Sequence, residues 1–264
     1  MAEPLRCSLN VTFHFPGVPL LDALDGAARA GFHTIELLDP YSPELDDLER
    51  ELKRRGLRLD LFNLPMGDFA AGDRGIAADP ERRDEFRRGT ERAVVIAARL
   101  GATKVNGLVG RRIDTIPESS QLALAAEQLG WAAERLESLG VSVVTEMLNP
   151  VESPGLLLRD LATTRWLVEQ LEGRVGLLLD LYHLQRTHGE LIRTIEATSA
   201  ITRHVQIADA PGRSEPGSGE IAYGNVLAAL AGSGYAGIIG CEYRPSGPDV
   251  DPFAWMDQMG AVKA

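Results

Sequence analysis

The chain is poor in cysteine, in aromatic residues and in positive charge. Its two cysteines, Cys7 and Cys241, lie in separate short apolar runs, with no ligand-type residue at metal-binding spacing. That argues against a zinc–cysteine motif and a disulfide scaffold, and fits two buried thiols in a reducing compartment. No stretch of about 18 apolar residues occurs, so no membrane-spanning helix is expected. The opening "MAEPLRCSLN" has no apolar signal region, and the expected location is the cytoplasm. Lys and Arg number 27 against 38 Asp and Glu, a net charge of −11. This works against a nucleic-acid partner, because phosphate binding rests on basic side chains. It leaves room for a small anionic substrate held by one or two local basic groups. A G-x-G-x-x-G turn is also missing after the first strand-like run, where the sequence reads "NVTFHFPGVPL". The usual fingerprint of a doubly wound, dinucleotide-binding sheet is therefore absent.

What the chain does contain is an alternation of two patterns. Short β-branched or Leu-rich runs occur at Arg6–Val11, Thr34–Leu37, Arg58–Phe62, Lys104–Leu108, Ser142–Thr145, Val175–Leu179, His204–Ala208 and Gly237–Cys241. Between them lie segments such as "SPELDDLERELKRRG" and "ERRDEFRRGTERAVVIAARLG", with apolar residues three or four apart and charge on the other face. Several of these end at glycine (Gly31, Gly56, Gly101, Gly140, Gly173), as helices that close in a left-handed turn do. The strand runs are nearly continuous in apolar residues, the signature of burial on both faces in a parallel sheet. Eight βα units in 264 residues predict an α/β fold, a (β/α)8 TIM barrel, as a single domain over residues 1–264. Residues 64–80, "LPMGDFAAGDRGIAADP", form a long loop after the third strand, of a length that is usually functional or mobile.

In such a barrel the C-terminal strand ends share one pocket. Strand five ends at Glu146 and strand six at Asp180, with His183 three residues on. Strand seven carries Gln206, and strand eight ends at Glu242. One carboxylate after a strand is ordinarily a helix cap or a solvated residue. Four polar groups at equivalent ends are harder to explain that way. Three crowded carboxylates repel and resist desolvation unless a cation joins them. Three carboxylates and an amide oxygen form a hard donor set suited to Mg2+ or Mn2+. His14, His33 and His188 lack paired ligands and read as structural or surface residues. His204 opens its strand and is expected at the opposite end from the site. Asp209 is expected to cap the following loop, and Glu215 to be solvated.

The blocks "FNLPMGDFAAGDRGIA", "VNGLVG", "DLYHLQRTHGEL", "HVQIADAPGRSEPGSGEIAY" and "GCEYRP" resemble the hydroxypyruvate isomerase family, within the xylose-isomerase-like barrels, over nearly the whole chain. The resemblance implies a metal held by Glu146, Asp180, Gln206 and Glu242, and proton transfer between adjacent carbons by Glu146 and Glu242. His183 and Arg213 then fit polar contacts to substrate, Arg213 as a fork for a carboxylate. Asn106, ending strand four, and Glu152, six residues past Glu146, are further pocket candidates. The implied reaction interconverts hydroxypyruvate and tartronate semialdehyde. Phe62, where these isomerases often have histidine, looks more like the sibling that isomerises four-carbon 2-oxo-tetronates. Sugar 3-epimerases usually carry histidine at the place of Gln206. A metal-dependent DNA-repair nuclease shares the barrel type but not this acidic charge, and a non-catalytic sugar-acid binder would exchange no substrate proton. The sequence leaves open whether the chain forms a homo-oligomer.

Overall fold

The computed structural model describes residues 4–41 and 44–264. Positions 1–3 of the opening segment, and Ser42 and Pro43 at the start of "SPELDDLERELKRRG", lie outside the described residues. The chain opens with β1 (Leu5–Asn10), α1 (Val11–His14), α2 (Leu20–Arg29), β2 (Thr34–Leu37) and α3 (Leu45–Arg55). It continues with β3 (Arg58–Asn63), α4 (Arg83–Leu100), β4 (Lys104–Asn106), α5 (Glu118–Glu137), β5 (Ser142–Thr145) and α6 (Leu161–Gln170). The last third holds β6 (Val175–Asp180), α7 (Leu181–Thr187), α8 (Leu191–Thr198), β7 (Thr202–Ile207), α9 (Tyr223–Gly232), β8 (Ile239–Cys241), α10 (Ala254–Met259) and β9 (Ala261–Lys263). The strand order is β2-β3-β4-β5-β6-β7-β8-β1, with β1 also bonded to β2 and β9 alongside β1. This cyclic order of parallel strands, with helices between them, is the (β/α)8 barrel.

Two compact units can be distinguished, Met1–Asp60 with Leu179–Ala264, and Leu61–Leu178. Both boundaries fall inside strands, β3 and β6, rather than in linkers. In the first unit β1 runs parallel to β2 with Leu9 opposite Ile35, and to β8 with Cys7 opposite Ile239. The next pairing sets Gln206 of β7 opposite Gly240 of β8. β9 was too short to read from sequence; it lies beside the start of β1, and the carbonyl of Ala264 accepts from the His33 and Thr34 N–H groups at 2.8 Å. The amphipathic α3 buries Leu48 and Leu52, one turn apart.

The second unit pairs β4 with β3, Asn106 opposite Asn63, and with β5, which pairs with β6. Leu61, Val144 and Leu178 from β3, β5 and β6 form a buried aliphatic cluster. Each such side chain contributes about 1.5–3 kcal/mol on burial. α4 buries Phe86, Thr90, Ala93, Ile96 and Ala97, a stripe at three- and four-residue spacing.

The expected strands occur, with boundary differences that have local causes. Val11 starts α1 instead of ending β1, because the Asn10 side chain accepts from the Phe13 N–H and caps the turn. β4 stops at Asn106, and β7 begins at Thr202, before His204. The five glycines expected to close helices all have positive φ, from 66° to 84°. The loop over residues 64–79 is exposed at 68–71 but anchored at its far end. Ile76, Ala77 and Ala78 are buried, and Gly75 bridges to Val109. At Gly75, with φ of 94°, a Cβ would fall 1.9 Å from the carbonyl oxygen of Leu108, so only glycine fits that crossing.

Candidate active site

Every residue singled out at a strand end sits there in the structure. Asp180 closes β6 and Asn106 closes β4; Glu146 and Glu242 directly follow β5 and β8; Gln206 is the penultimate residue of β7. Asp180, Gln206, Glu242, Glu146, Asn106 and His183 are all buried.

In the first unit Asp180, His183, Gln206 and Glu242 form one group with Arg213. Asp180 divides its labour between its two oxygens. Oδ1 accepts from the Tyr182 and His183 N–H groups at 2.8 and 3.3 Å, which makes it the N-cap of α7. Oδ2 faces Arg213 Nη2 and His183 Nε2, each at 3.4 Å. The capping role and the site role therefore coexist in one side chain. Glu242 Oε2 accepts from Arg213 Nη2 at 2.5 Å, while Oε1 accepts from Asn10 Nδ2 at 2.9 Å and Gln206 Nε2 at 3.3 Å. The Arg213 guanidinium lies over the rings of Phe13 (4.2 Å) and Tyr182 (4.9 Å). Burial pushes the Glu242 carboxyl up to about 8; Asp180 and Glu36 add like charge, against the opposing pull of Arg213. Burial also drives the His183 imidazole well below its ordinary range, and the charge of Arg213 acts the same way. His183 is thus neutral at pH 7.

The loop after β7 is built around Asp209, as expected of a cap. Its carboxylate accepts from the N–H groups of Ala210, Gly217 and Ile221 at 2.8–3.0 Å. Arg213 sits in this loop with a positive φ of 54°, unusual for a non-glycine residue. Glu215 departs from expectation. It is buried, because the N–H and hydroxyl of Ser246 both bind its carboxylate.

In the second unit Asn106 Nδ2 donates to Glu146 Oε1 at 2.7 Å and to Asn63 Oδ1 at 3.1 Å. Asn63 in turn reaches Met66 Sδ at 3.1 Å. Glu152 is exposed in the loop after β5, where its N–H donates to Asn149 Oδ1 at 3.0 Å.

Four participants went unnoticed in the sequence: Asn10, Glu36, Asn63 and Asn149. Each is a fully or nearly fully buried polar residue. Glu36 offered the clearest signal, a carboxylate flanked by apolar residues in "TIEL", which is costly unless paired. His204 also departs from expectation. It is not detached from the site, since its Nε2 lies 2.9 Å from Glu36 Oε1, and Glu36 Oε2 accepts from Gln206 Nε2 at 2.8 Å. His204 and Gln206 are two apart on one strand and so share a face. Among the described residues, Glu36, Asp60 and His204 bring ligand-type atoms within 4.8 Å of one another, a set that could hold a metal ion.

The site near Gln206 fits a hard cation on its own chemistry. Its carbonyl oxygen, Oε1, is buried with no hydrogen-bond partner among the described residues. An orphaned buried acceptor costs about 1–3 kcal/mol. Beside Glu242 and in the same group as Asp180, that oxygen is a neutral donor completing a carboxylate set.

Comparison with known proteins agrees with this architecture. The sequence pattern of the xylose isomerase-like TIM barrel family matches residues 24–261. Hydroxypyruvate isomerase of Escherichia coli is 36% identical over 255 residues, covering 96% of this chain and 98% of that protein. The 2-oxo-tetronate isomerase of Haemophilus influenzae is 32% identical over 254 residues, with 96% and 98% covered. Among solved structures, an AP endonuclease, family 2, of Brucella melitensis superposes with a TM-score of 0.91 at 36% identity, covering 97% of this chain and 98% of its own. D-psicose 3-epimerase of Clostridium cellulolyticum shares the fold, with a TM-score of 0.74 at 18% identity over 91% of this chain and 85% of that one.

Proposed function

The chain belongs to the xylose isomerase-like TIM barrel family and is an isomerase of that family, and from this premise we propose that it interconverts hydroxypyruvate and tartronate semialdehyde. The observation that supports the reading most is the buried, unpartnered Gln206 carbonyl beside the Glu242 carboxylate. Glu146, Asp180, Gln206 and Glu242 would hold Mg2+ or Mn2+. Bound there, the cation supplies Lewis-acid polarisation of neighbouring carbonyl and hydroxyl oxygens, which makes the intervening C–H acidic.

The protein's own groups do the rest. Glu146 takes the proton from C3 of hydroxypyruvate, giving the enediolate. Glu242, held near neutral titration by burial, returns a proton to C2. The C3 hydroxyl gives up its proton as that carbon becomes the aldehyde, and the former ketone oxygen gains one. Atoms therefore balance with no redox partner. Arg213 binds the substrate carboxylate through its planar fork and is pre-oriented by Phe13 and Tyr182. Neutral His183 hydrogen-bonds the substrate oxygens. Asn106 and Glu152 are further residues assigned to substrate contact in this reading. The proposal takes residues 1–264 as one domain acting in the cytoplasm on a small anionic hydroxy-oxo acid, with neither nucleic acid nor membrane as partner. No helix of the described residues is long and apolar enough to cross a membrane.

A second reading, isomerisation of 2-oxo-tetronate, is favoured by Phe62, fully buried in β3. Proton NMR of each acid with the protein in D2O, with and without chelator, separates the two. Deuterium at the exchanging carbon and tartronate semialdehyde as product are expected. No exchange with either acid would refute the isomerase mechanism, and exchange with the four-carbon acid alone would shift the substrate. Salt-sensitive cleavage of abasic DNA would instead revive a nuclease.

A further inference from the structure

Gln206 can face the site with either its carbonyl oxygen or its NH2 group, and only the oxygen can bind a cation. The surroundings decide which. Glu36 Oε2 lies 2.8 Å from the terminal nitrogen of Gln206, and Glu242 Oε1 lies 3.3 Å from it. The Glu36 carboxylate accepts from the Ser8 hydroxyl and has no proton of its own to give, so the Gln206 atom 2.8 Å from it is the donor NH2. The carbonyl oxygen is then turned the other way, and it is the atom found without a partner.

Glu242 alone would be a poor guide to this orientation. Its contact is the longer of the two, and its carboxylate is committed to Arg213 and Asn10 as well. Glu36 is better placed. Its Oε1 is pinned by the Ser8 hydroxyl at 2.7 Å and by His204 Nε2 at 2.9 Å, leaving Oε2 aimed at Gln206. All four residues are buried, at 0–2% exposure, so water does not compete for these bonds. Room for the carboxylate comes from Gly240, the residue opposite Gln206 on β8. A Cβ there would lie 2.4 and 2.6 Å from the two Glu36 oxygens.

We propose that Glu36 is a positioning residue: fixed by Ser8 and His204 in a niche over Gly240, it holds the NH2 of Gln206 and so presents the Gln206 carbonyl oxygen as a metal donor. The proposal rests on the metal reading given above. Groups that orient metal ligands typically change affinity by about 10–100-fold when altered.

The test is Mn2+ titration calorimetry on the intact protein, its Glu36→Gln and Gln206→Ala variants, and the double variant. Glu36→Gln should weaken Mn2+ binding by about 10–100-fold when Gln206 is present. In the Gln206→Ala background, where no amide remains to orient, the same change should cost less than about twofold. An equal loss in both backgrounds would overturn the proposal, since Glu36 would then act through its charge or through the fold. No loss in the first background would overturn it as well. Should Glu36→Gln fail to fold, Ser8→Ala replaces it, with a smaller loss of about 2–5-fold that again vanishes without Gln206. If the unaltered protein binds no Mn2+, the metal reading fails first and this inference with it.

Discussion

Replacing Gly240 by alanine should be among the most damaging one-carbon changes in the first unit. The added Cβ would sit 2.4 Å from Glu36 Oε1, 2.6 Å from Oε2 and 2.7 Å from the carboxyl carbon, where 3.4 Å or more is ordinary contact. The carboxylate must retreat by about 1 Å. Its donors Ser8 and His204, with Gln206, stand on β1 and β7, the strands flanking β8, so withdrawal from β8 draws it away from all three. Bonds of 2.7–2.9 Å would stretch past the 3.2 Å at which such bonds weaken. Each hydrogen bond to a charged group is worth about 1.5–3 kcal/mol, and the donors left behind are buried. With part of the strain relieved by backbone shifts, the expected loss is about 3–5 kcal/mol. Urea unfolding followed by circular dichroism measures it, and thermal melting should show a fall of about 10 °C. A Gly240→Ala protein within about 1 kcal/mol of the original would refute the packing argument, and with it the claim that Glu36 is rigidly held.

Three other outcomes follow from the same geometry. Glu242→Gln keeps the volume of a buried side chain but removes the group that carries a proton, so turnover should vanish while the circular dichroism spectrum is unchanged; near-normal activity would remove Glu242 from the mechanism. Arg213→Ala should raise KM for the acid substrate by about 10–100-fold, the value of one charge-assisted contact, with a smaller effect on kcat; an unchanged KM would count against the carboxylate clamp. His14 is held neutral in the fold: burial lowers its imidazole from 6.5 to about 4, against the pull of a Tyr243 backbone bond and the Glu215 charge. The unfolded chain binds the extra proton, so this contribution is complete above pH 6.5 and is lost as pH falls toward 4, a change of about 3 kcal/mol. His14→Phe, which preserves the stacking on Phe253 at 5.1 Å, should flatten that part of the pH–stability curve.

The sequence was most legible where burial acts on a whole run of residues. β2 and β5 lie at the expected residues, and the other barrel strands differ at their ends by a few residues, because continuous apolar stretches between amphipathic segments have one good solution, a two-sided parallel sheet. Strand-end polar residues were legible for a related reason: in "VGLLLD" or "GIIGCEY" the apolar run stops abruptly at a carboxylate. The carboxylate in "TIEL" signalled that Glu36 must be paired, but neither its partner nor that of Asn10 was legible, because they lie 170 and 232 residues away. His204 was misread because position along a strand was weighed without its face. Glu215 was taken for a solvated loop residue because nothing in "GRSEPGSG" anticipates the Ser246 donors supplied 31 residues later.

The three amides gathered by Asp209 bear on how tightly this loop can grip a small molecule. A segment that must be ordered by its ligand loses affinity to that ordering. Here the turn is already set, Arg213 included, with its uncommon backbone angle settled when the chain folds. For the small acid proposed as substrate, contact energy is limited, and a loop ordered when the chain folds spends little of it on its own ordering.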